Sequence, residues 1–347
     1  MVSLGLSDIE DVSLLDHGLE LFQQIPAITS NRIFKPSRSD YWIGMLTTRQ
    51  LRSFETLAET LHFGRAAKQL SISQPALSAQ IAQMEELFGC ALFERRPVGP
   101  ILTARGVEVQ TRVRRIMSEL RDLEALGQDT GELLVGQLRI GIIASLAPYL
   151  LPSLLSEFRR SYPRLAVGVR ENVTATLLDD LADGTIDCLV QALPVDRRGI
   201  DAILLGEDRF WLAVPEAEAR GIASPVDAAE LDHRRLILLQ EGHCLRDQAL
   251  DVCRLANRRD LSLLGATSLA TLLRMVAGGL GITLVPQSAL SAERRVGGIA
   301  FLPFQEPAPS RTLALTFRTS SHRRTDFERL AELIRSCLLH DQPTAPG

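Results

Sequence analysis

The sequence predicts an α plus α/β fold, with a helical amino-terminal region followed by a larger α/β region. Two observations carry this prediction. Apolar residues recur at helical spacing through most of residues 48–126. From Gln137 onward, short apolar strands alternate with helical segments instead. The chain has 347 residues, which is too many for one ordinary hydrophobic core, so two or three domains are expected.

Composition and charge narrow the class of protein. Hydrophobic residues make up 46 % of the chain and charged residues 23 %, as in globular proteins. No segment approaches the roughly 18 consecutive apolar residues of a membrane span, and the first residues do not resemble a secretory signal. We therefore expect a cytoplasmic protein with no membrane partner. The net charge is −4, yet residues 45–115 carry ten basic against six acidic residues, which suggests a polyanionic partner.

Three short helices are predicted after an amino-terminal extension. Residues 1–44 lack a strong period, and we expect them to be a disordered or mis-annotated extension before a start at Met45. Helices are then predicted over Thr48–Leu61, Gly64–Leu70 and Ser73–Phe88, because apolar residues recur at helical spacing in each.

The third helix has a clear beginning and end. Ser73 is a good N-cap, Pro75 falls in the first turn, where a missing N–H costs little, and Gly89 ends the helix. Its polar face offers Gln74, Ser78, Gln80 and Gln83. Three short helices with polar residues opening the third are the layout of a helix-turn-helix, whose third helix enters the major groove of DNA. An ordinary helical bundle with a solvated polar face is the alternative.

A short hairpin and a long helix complete the amino-terminal region. The segment Cys90–Gly106 turns at Pro97–Pro100 and carries Arg95 and Arg96, which are placed to meet backbone phosphates. The long helix is predicted over Arg105–Leu126. Its apolar stripe consists of Val109, Val113, Ile116, Leu120 and Leu123. Such a stripe needs a partner, and a second copy of the chain is the simplest one.

The rest of the chain alternates strands with helices. Strands are predicted at Gln137–Ala144, Ala166–Arg170, Cys188–Leu193, Phe210–Val214, Leu236–Leu239, Leu261–Ala266, Ile282–Val285 and Thr312–Phe317. Helices are predicted at Leu151–Ser161, Thr176–Asp183, Leu269–Gly278 and Asp326–Leu339. This alternation predicts an α/β architecture with parallel sheets.

The first part of the chain resembles a known family. The run from Leu51 to Gly106, with "LHF", "SQPALS", "LFER" and a closing Thr-x-x-Gly, is similar to the winged helix-turn-helix of LysR-type transcriptional regulators. The resemblance implies a winged helix-turn-helix DNA-binding domain over 45–106 and a dimerisation linker helix and hinge over 107–136. A periplasmic-binding-protein-like, two-lobed α/β regulatory domain follows over 137–340, crossing to lobe two near Gly206 and returning near Pro303.

The resemblance also implies contacts and partners. Base contacts are expected from Gln74, Pro75 and Ser78, and backbone contacts from Arg95 and Thr103; Gln80 on the same polar face joins the expected DNA-binding set. Double-stranded promoter DNA is the expected partner, together with RNA polymerase. Homodimers joined by the long helix are expected to assemble into homotetramers.

Two of the five cysteines stand in a distinctive motif. In a reducing cytosol all five would by default be small buried residues. However, "GHCLRDQ" around Cys244, with Cys253 nine positions later, resembles the OxyR-like, hydrogen peroxide-sensing branch of the family. The segments "APYLLP", "DGTIDCLVQAL" and "ATSLATLLRMVAGGLGITLVP" agree with that branch. Cys188 also matches a family cysteine but is interpreted as a core residue, as are Cys90 and Cys337.

The residues of this motif are compatible with the redox chemistry that the resemblance implies, although without the motif both cysteines would be interpreted as buried core residues. A cysteine that attacks peroxide must be a thiolate, which cationic or hydrogen-bonding neighbours stabilise, and Cys244 has His243 and Arg246 close in sequence. The resulting sulfenic acid can condense with a nearby thiol, and Cys253 is the candidate. Nine residues of helix would span about 13 Å, far beyond the reach of a disulfide, so any helix between them must unwind.

Matching positions imply a peroxide pocket formed by Ser145, Thr174, His243, Cys244 and Arg311. Ser145 replaces the threonine usual there, which keeps the hydroxyl and loses a methyl group. Asp247 is expected to orient the loop, and Arg246 to lie beside the cysteine. No cofactor and no metal are expected. Three alternatives remain: a regulator sensing a small metabolite with inert cysteines, a thiol peroxidase, and a metal site using His243, Cys244 and Cys253.

Overall fold

The computed structural model describes residues 45–126, 132–195, 197–228, 231, 235–255, 261–295 and 297–340. The predicted extension over 1–44 and the start of the predicted hinge lie outside these residues. None of the described helices is long and apolar enough to cross a membrane.

Three helices and a hairpin form the first region, as the sequence predicts. Its elements are α1 (Thr48–Thr60), α2 (Phe63–Gln69), α3 (Gln74–Phe88), β1 (Phe93–Arg96) and β2 (Gly99–Leu102). The Ser73 side chain accepts a hydrogen bond from the N–H of Ala76 at 3.3 Å and so caps α3. Gly89 ends α3 with φ of +64°, the left-handed conformation that glycine adopts readily. The core of this region is built around Phe54, Leu57 and Leu77, which are fully buried.

Thr103 precedes helix α4 (Ala104–Leu126) and joins it to the hairpin. The Thr103 hydroxyl donates to the carbonyl oxygen of Ala91 at 2.9 Å and accepts from the N–H of Gly106 at 2.9 Å. A Cβ on Gly106 would lie 2.1 Å from the carbonyl oxygen of Leu92. Both ends of the Thr-x-x-Gly motif are therefore required by packing between α4 and the hairpin.

The apolar stripe predicted on α4 is divided between two environments. Val109 and Val113 are buried in the core of the first region, whereas Ile116 and Leu123 are 49 % and 65 % exposed. The prediction of one continuous stripe facing a second copy is therefore wrong for the two valines. Of the predicted stripe, only Ile116 and Leu123 are therefore left exposed, because Leu120 packs partly against the core of the first region.

The remaining residues form a two-lobed α/β region. Its elements are β3 (Gly136–Ile143), α5 (Ala147–Ser161), β4 (Leu165–Asn172), α6 (Thr174–Ala182), β5 (Cys188–Ala192), β6 (Ile200–Pro215), α7 (Glu216–Ala219), β7 (Leu236–Leu239), α8 (Cys244–Leu255), β8 (Leu261–Ala266), α9 (Leu269–Ala277), β9 (Thr283–Pro286), α10 (Gln287–Glu293), β10 (Ile299–Pro303), β11 (Ser310–Arg318) and α11 (Arg324–His340). Two separate hydrophobic cores correspond to the two lobes.

The sheets are mixed rather than purely parallel. Strands β3, β4 and β5 are parallel, as are β7 and β8. Strands β6, β9, β10 and β11 pair antiparallel, and the larger sheet has the order β10-β6-β11-β5-β3-β4 with β9 on β6. The prediction of parallel sheets is wrong for these four strands. A buried strand has the same apolar pattern in either direction, so the sequence does not reveal its orientation.

Strand β6 belongs to both lobes. Its residues Ile200–Arg209 pair with β11 in lobe one, and its residues Phe210–Pro215 pair with β9 and β10 in lobe two. The chain therefore crosses at Arg209 and Phe210, a few residues after the predicted position at Gly206. It returns between Pro303 and Ser310, where the sequence places the return.

Lobe one is tied to helix α4 by a buried arginine. The Arg318 guanidinium donates to the Ser118 hydroxyl of α4 at 3.0 Å and to the carbonyl oxygens of Leu181 and Ile186 at 2.8 and 3.0 Å. Both Arg318 and Ser118 are buried. Helix α4 is thus linked within one chain both to the helix-turn-helix region and to lobe one.

Candidate functional site

The start of α3 and the hairpin form a polar face. Gln74 and Pro75 are exposed, and Ser78 follows one turn later on the same side of α3. Arg95 of the hairpin donates to the Ser78 hydroxyl at 3.4 Å and lies 5.7 Å from the centre of the Phe63 ring. A cleft of about 320 Å³ runs between these groups. Uncharged donors and a guanidinium therefore lie side by side, as base and phosphate recognition requires.

Two residues of the predicted DNA-binding set have other partners. Gln80 lies about 200° around α3 from Ser78, on the side that meets α1, and its carbonyl oxygen accepts from the Ser53 hydroxyl. The Thr103 hydroxyl is used in the cap of α4. Gln80 and Thr103 therefore each have a partner within the chain, and both remain partly exposed, so their contacts with DNA stay a prediction.

The second site lies in the cleft between the lobes, at the carboxyl ends of the parallel strands. Ser145 follows β3, Thr174 follows β4, and Arg311 is the second residue of β11. Cys244 is the first residue of α8 and comes shortly after β7 of lobe two. In α/β folds this edge is where ligands bind, because loops and helix N-termini converge there.

Arg311 is the centre of a buried hydrogen-bond network. Its Nη1 donates to the Ser145 hydroxyl at 2.9 Å, and its Nε donates to the Asp208 carboxylate at 3.0 Å. Asp208 also accepts from the backbone N–H and the hydroxyl of Ser288 at 2.9 and 2.8 Å. The Arg311 side chain is fully buried, so its charge is balanced by Asp208 rather than by solvent.

Two buried polar groups at this edge lack hydrogen-bond partners among the described residues. They are the Thr174 hydroxyl and the Arg311 Nη2, which is 2.9 Å from Asp208 as an ion contact without hydrogen-bond alignment. Buried polar groups are normally satisfied. Unsatisfied donors here indicate a site suited to a small oxygen-containing ligand.

Cys244 connects the two lobes. It is half-buried and packs against the core of lobe one, although α8 itself packs on lobe two through Leu245, Ala249 and Val252. The preceding turn uses Gly242 with φ of +92°, and a Cβ there would lie 3.7 Å from Val173, just before Thr174. The backbone N–H groups at the start of a helix favour an anion, so this is a suitable position for a thiolate.

The neighbours of Cys244 differ from the roles that the sequence suggests. Burial lowers the pKa of His243 below its usual value, which favours the neutral imidazole over the cation at neutral pH. Arg246 donates to the carbonyl oxygen of Leu239 at 3.0 Å, which anchors α8 to the end of β7. Asp247 lies exposed in the first turn of α8.

The second cysteine of the motif is on the same helix. Helix α8 runs without interruption from Cys244 to Leu255 and includes Cys253, whose side chain lies outside the described part of the chain. Nine residues of helix separate the two Cα atoms by about 13 Å and place them on opposite faces. A disulfide requires the Cα atoms to be within about 7 Å. This helix is therefore incompatible with a Cys244–Cys253 bond.

Cys188 and Cys337 are buried in lobe one, and burial raises the pKa of the Cys188 thiol well above its usual value. Cys90 is half-buried in the first region. Sequence reasoning did not identify Asp208 or Ser288, because neither lies in a recognisable motif.

Comparison with known proteins places the chain in a family. Residues 48–107 match "Bacterial regulatory helix-turn-helix protein, lysR family", and residues 131–338 match "LysR substrate binding domain". A probable hydrogen peroxide-inducible genes activator from Streptomyces viridosporus is 38 % identical over 83 % of this chain and 93 % of the relative. The DNA-binding transcriptional dual regulator OxyR of Escherichia coli K12 is 36 % identical over 84 % of this chain and 95 % of the relative.

Solved structures of similar proteins point to the same family. Full-length Pseudomonas aeruginosa OxyR, as a cysteine-to-aspartate mutant, has a TM-score of 0.73 and 31 % identity, covering 87 % of this chain and 99 % of that one. A hydrogen peroxide-bound, cysteine-to-serine mutant of Corynebacterium glutamicum OxyR has a TM-score of 0.59 and 34 % identity, covering 85 % of this chain and 95 % of that one. With both regions matched, this chain belongs to the LysR family of bacterial helix-turn-helix transcriptional regulators.

Proposed function

We propose that the protein regulates transcription in the oxidative stress response and senses hydrogen peroxide by reversible formation of a Cys244–Cys253 disulfide. The observation that carries this proposal is the position of Cys244. It opens α8 in the cleft between the lobes, at the edge where Ser145, Thr174 and Arg311 present hydroxyl and guanidinium groups. The relatives named as peroxide-inducible activators support the same chemistry.

The reaction has two steps. The Cys244 thiolate attacks one peroxide oxygen, so that an S–O bond forms while the O–O bond breaks. The departing hydroxide takes up a proton and leaves as water, and donors such as Arg311 stabilise its developing negative charge. The Cys253 thiol then attacks the sulfenic sulfur, so that the S–S bond forms while the S–O bond breaks, and the displaced hydroxide takes up the thiol proton and leaves as a second water. A dithiol reductant returns both residues to thiols.

The second step is coupled to a change of shape. Because α8 holds the two cysteines about 13 Å apart, the disulfide forms only when the helix unwinds. Unwinding removes Leu245, Ala249 and Val252 from the core of lobe two. A local redox reaction therefore changes the packing of the regulatory region.

The rest of the proposal concerns partners. Gln74, Pro75 and Ser78 are proposed to contact bases of double-stranded promoter DNA, and Arg95 its phosphates. The exposed residues Ile116 and Leu123 of α4 are proposed to meet a second copy, giving dimers that pair into tetramers. RNA polymerase is the proposed further partner, in the cytoplasm, and the protein acts as a regulator and not as an enzyme.

The test compares wild type with Cys244→Ser for protection of a candidate promoter from nuclease, with and without micromolar hydrogen peroxide. Cys90→Ser is the matched control, because Cys90 lies in the DNA-binding region. Wild type and the control should shift their footprint on oxidation, and Cys244→Ser should not.

Three outcomes would contradict the proposal. An identical footprint shift in Cys244→Ser would show that another group senses peroxide. The absence of disulfide formation would favour a metabolite-sensing regulator with inert cysteines. Sustained peroxide consumption in the presence of a dithiol would favour a thiol peroxidase.

A further inference from the structure

We propose that Asp208 is a positioning residue for the reaction of Cys244 with peroxide, because it fixes the orientation of the Arg311 guanidinium. This inference rests on the proposed peroxide-sensing function. Asp208 is 4 % exposed and lies directly opposite Arg311 in the antiparallel pair β6–β11. Residues paired in this way project on the same face of a sheet, so their side chains are neighbours.

The contacts between the two residues leave the guanidinium little freedom. Both Nε and Nη2 of Arg311 lie within 3.0 Å of one Asp208 oxygen, Oδ2. On the other edge of the planar group, Nη1 donates to the Ser145 hydroxyl at 2.9 Å. A guanidinium held on both edges is fixed in its plane, and so are the directions of its remaining N–H groups.

Asp208 is itself held from lobe two. Its Oδ1 accepts from the backbone N–H of Ser288 and its Oδ2 from the Ser288 hydroxyl. Asp208 lies on the part of β6 that pairs with lobe one, whereas Ser288 belongs to α10 of lobe two. The position of Arg311 therefore depends on a contact that spans both lobes.

Orientation of Arg311 matters because of the charge that develops during the reaction. The departing oxygen becomes hydroxide, and a donor stabilises it only when the N–H already points at it. Without the Asp208 charge, the fully buried guanidinium is uncompensated and no longer held against Ser145. Cys244 itself makes no contact with Asp208 in this network, so its access to other reagents should be unaffected.

The test measures the second-order rate of Cys244 oxidation by hydrogen peroxide in the full-length protein, alongside its alkylation by iodoacetamide. Asp208→Asn keeps the shape and one acceptor but removes the charge. We expect its peroxide rate to fall about 10- to 100-fold, with an alkylation rate close to that of wild type. The matched control is Asp201→Asn, on the same strand, where the carboxylate forms an accessible ion pair with Arg324. The control should react like wild type.

Each outcome decides the matter. An unchanged peroxide rate in Asp208→Asn would overturn the inference, and so would an equal fall in peroxide and alkylation rates, which indicates a merely structural role. If Asp208→Asn does not fold, Ser288→Ala decides instead, because it keeps both charges and removes one donor to Oδ2. It should lower the peroxide rate about threefold or more, and an unchanged rate would overturn the inference. Wild type that does not react with peroxide would refute the proposed function instead.

Discussion

The stability of α8 should control the rate at which the disulfide forms. Asp251 lies on this helix two residues before Cys253, so its substitution changes the cost of unwinding without touching either cysteine. We compare Asp251→Ala with Asp251→Gly. Both variants lose the carboxylate, so any contact that it makes cancels in the comparison.

The magnitude follows from the helix. The two Cα atoms must approach from about 13 Å to within about 7 Å, so the helical segment between them cannot survive in the oxidised state. Glycine disfavours a helix interior by about 1 kcal/mol relative to alanine. If unwinding precedes the second step, that difference makes disulfide formation about fivefold faster in the glycine variant than in the alanine variant.

Rapid-mixing kinetics separate the two steps. Sulfenic acid at Cys244 is trapped with dimedone, and loss of the Cys253 thiol is followed by alkylation after quenching. The first step should proceed equally fast in both variants, and only the second should differ. Equal second-step rates would refute the reasoning, because the helix would then not have to unwind before the bond forms. A difference confined to the first step would refute it as well.

Three further predictions concern other parts of the molecule. Burial lowers the pKa of His243, so as pH falls the unfolded chain binds a proton before the folded chain does. The free energy of unfolding should therefore decrease as pH drops through the usual value of 6.5. Urea unfolding of His243→Gln should show less of this decrease. Gly106→Ala should lower the free energy of unfolding by about 1–3 kcal/mol, because the added Cβ clashes with the carbonyl oxygen of Leu92. Gly297→Ala is the control, because a Cβ there meets no other group within 4 Å, and its urea unfolding should match wild type. Arg95→Ala should weaken DNA binding at all sequences. It should also reduce the slope of the logarithm of the binding constant against the logarithm of the salt concentration by about 1. An unchanged slope would show that Arg95 contacts no phosphate.

The sequence was sufficient for elements whose ends are set by local chemistry. Strands Leu236–Leu239 and Leu261–Ala266 have the predicted bounds, and α3 ends at Gly89 as predicted. Glycine at a helix end and short apolar runs act through neighbouring residues only, so a single sequence contains their signal.

Features that depend on distant contacts could not be predicted in the same way. Strand β6 is much longer than the predicted Phe210–Val214, because its first half is stabilised by pairing with β11 near the end of the chain. The apolar stripe on α4 appeared continuous, but only the three-dimensional packing shows which residues meet the first region. The sequence likewise does not decide whether a helix lies between the two cysteines, because α8 is stabilised by its packing on lobe two.

The candidate site also contains residues that the sequence indicates and residues that only distant contacts reveal. The motif around Cys244 indicates the proposed attacking thiol, and matching positions add Ser145, Thr174 and Arg311 to the proposed pocket. Asp208 has no such signal, because it reaches Arg311 across 103 residues of sequence. The charge of His243 also depends on burial, which the sequence does not report.

The inter-lobe contacts indicate how oxidation is transmitted. Besides the Asp208–Ser288 contact, the Tyr149 hydroxyl of lobe one donates to Glu293 of lobe two at 2.8 Å, and burial raises the pKa of Tyr149 so that it keeps its proton. Separating the lobes would break both of these inter-lobe contacts and exchange their hydrogen bonds for bonds to water. The two contacts therefore oppose opening of the cleft as two rigid bodies. Unwinding of α8 breaks neither contact. It involves Cys244, which packs on the core of lobe one, and lobe one is bonded to α4 through Arg318.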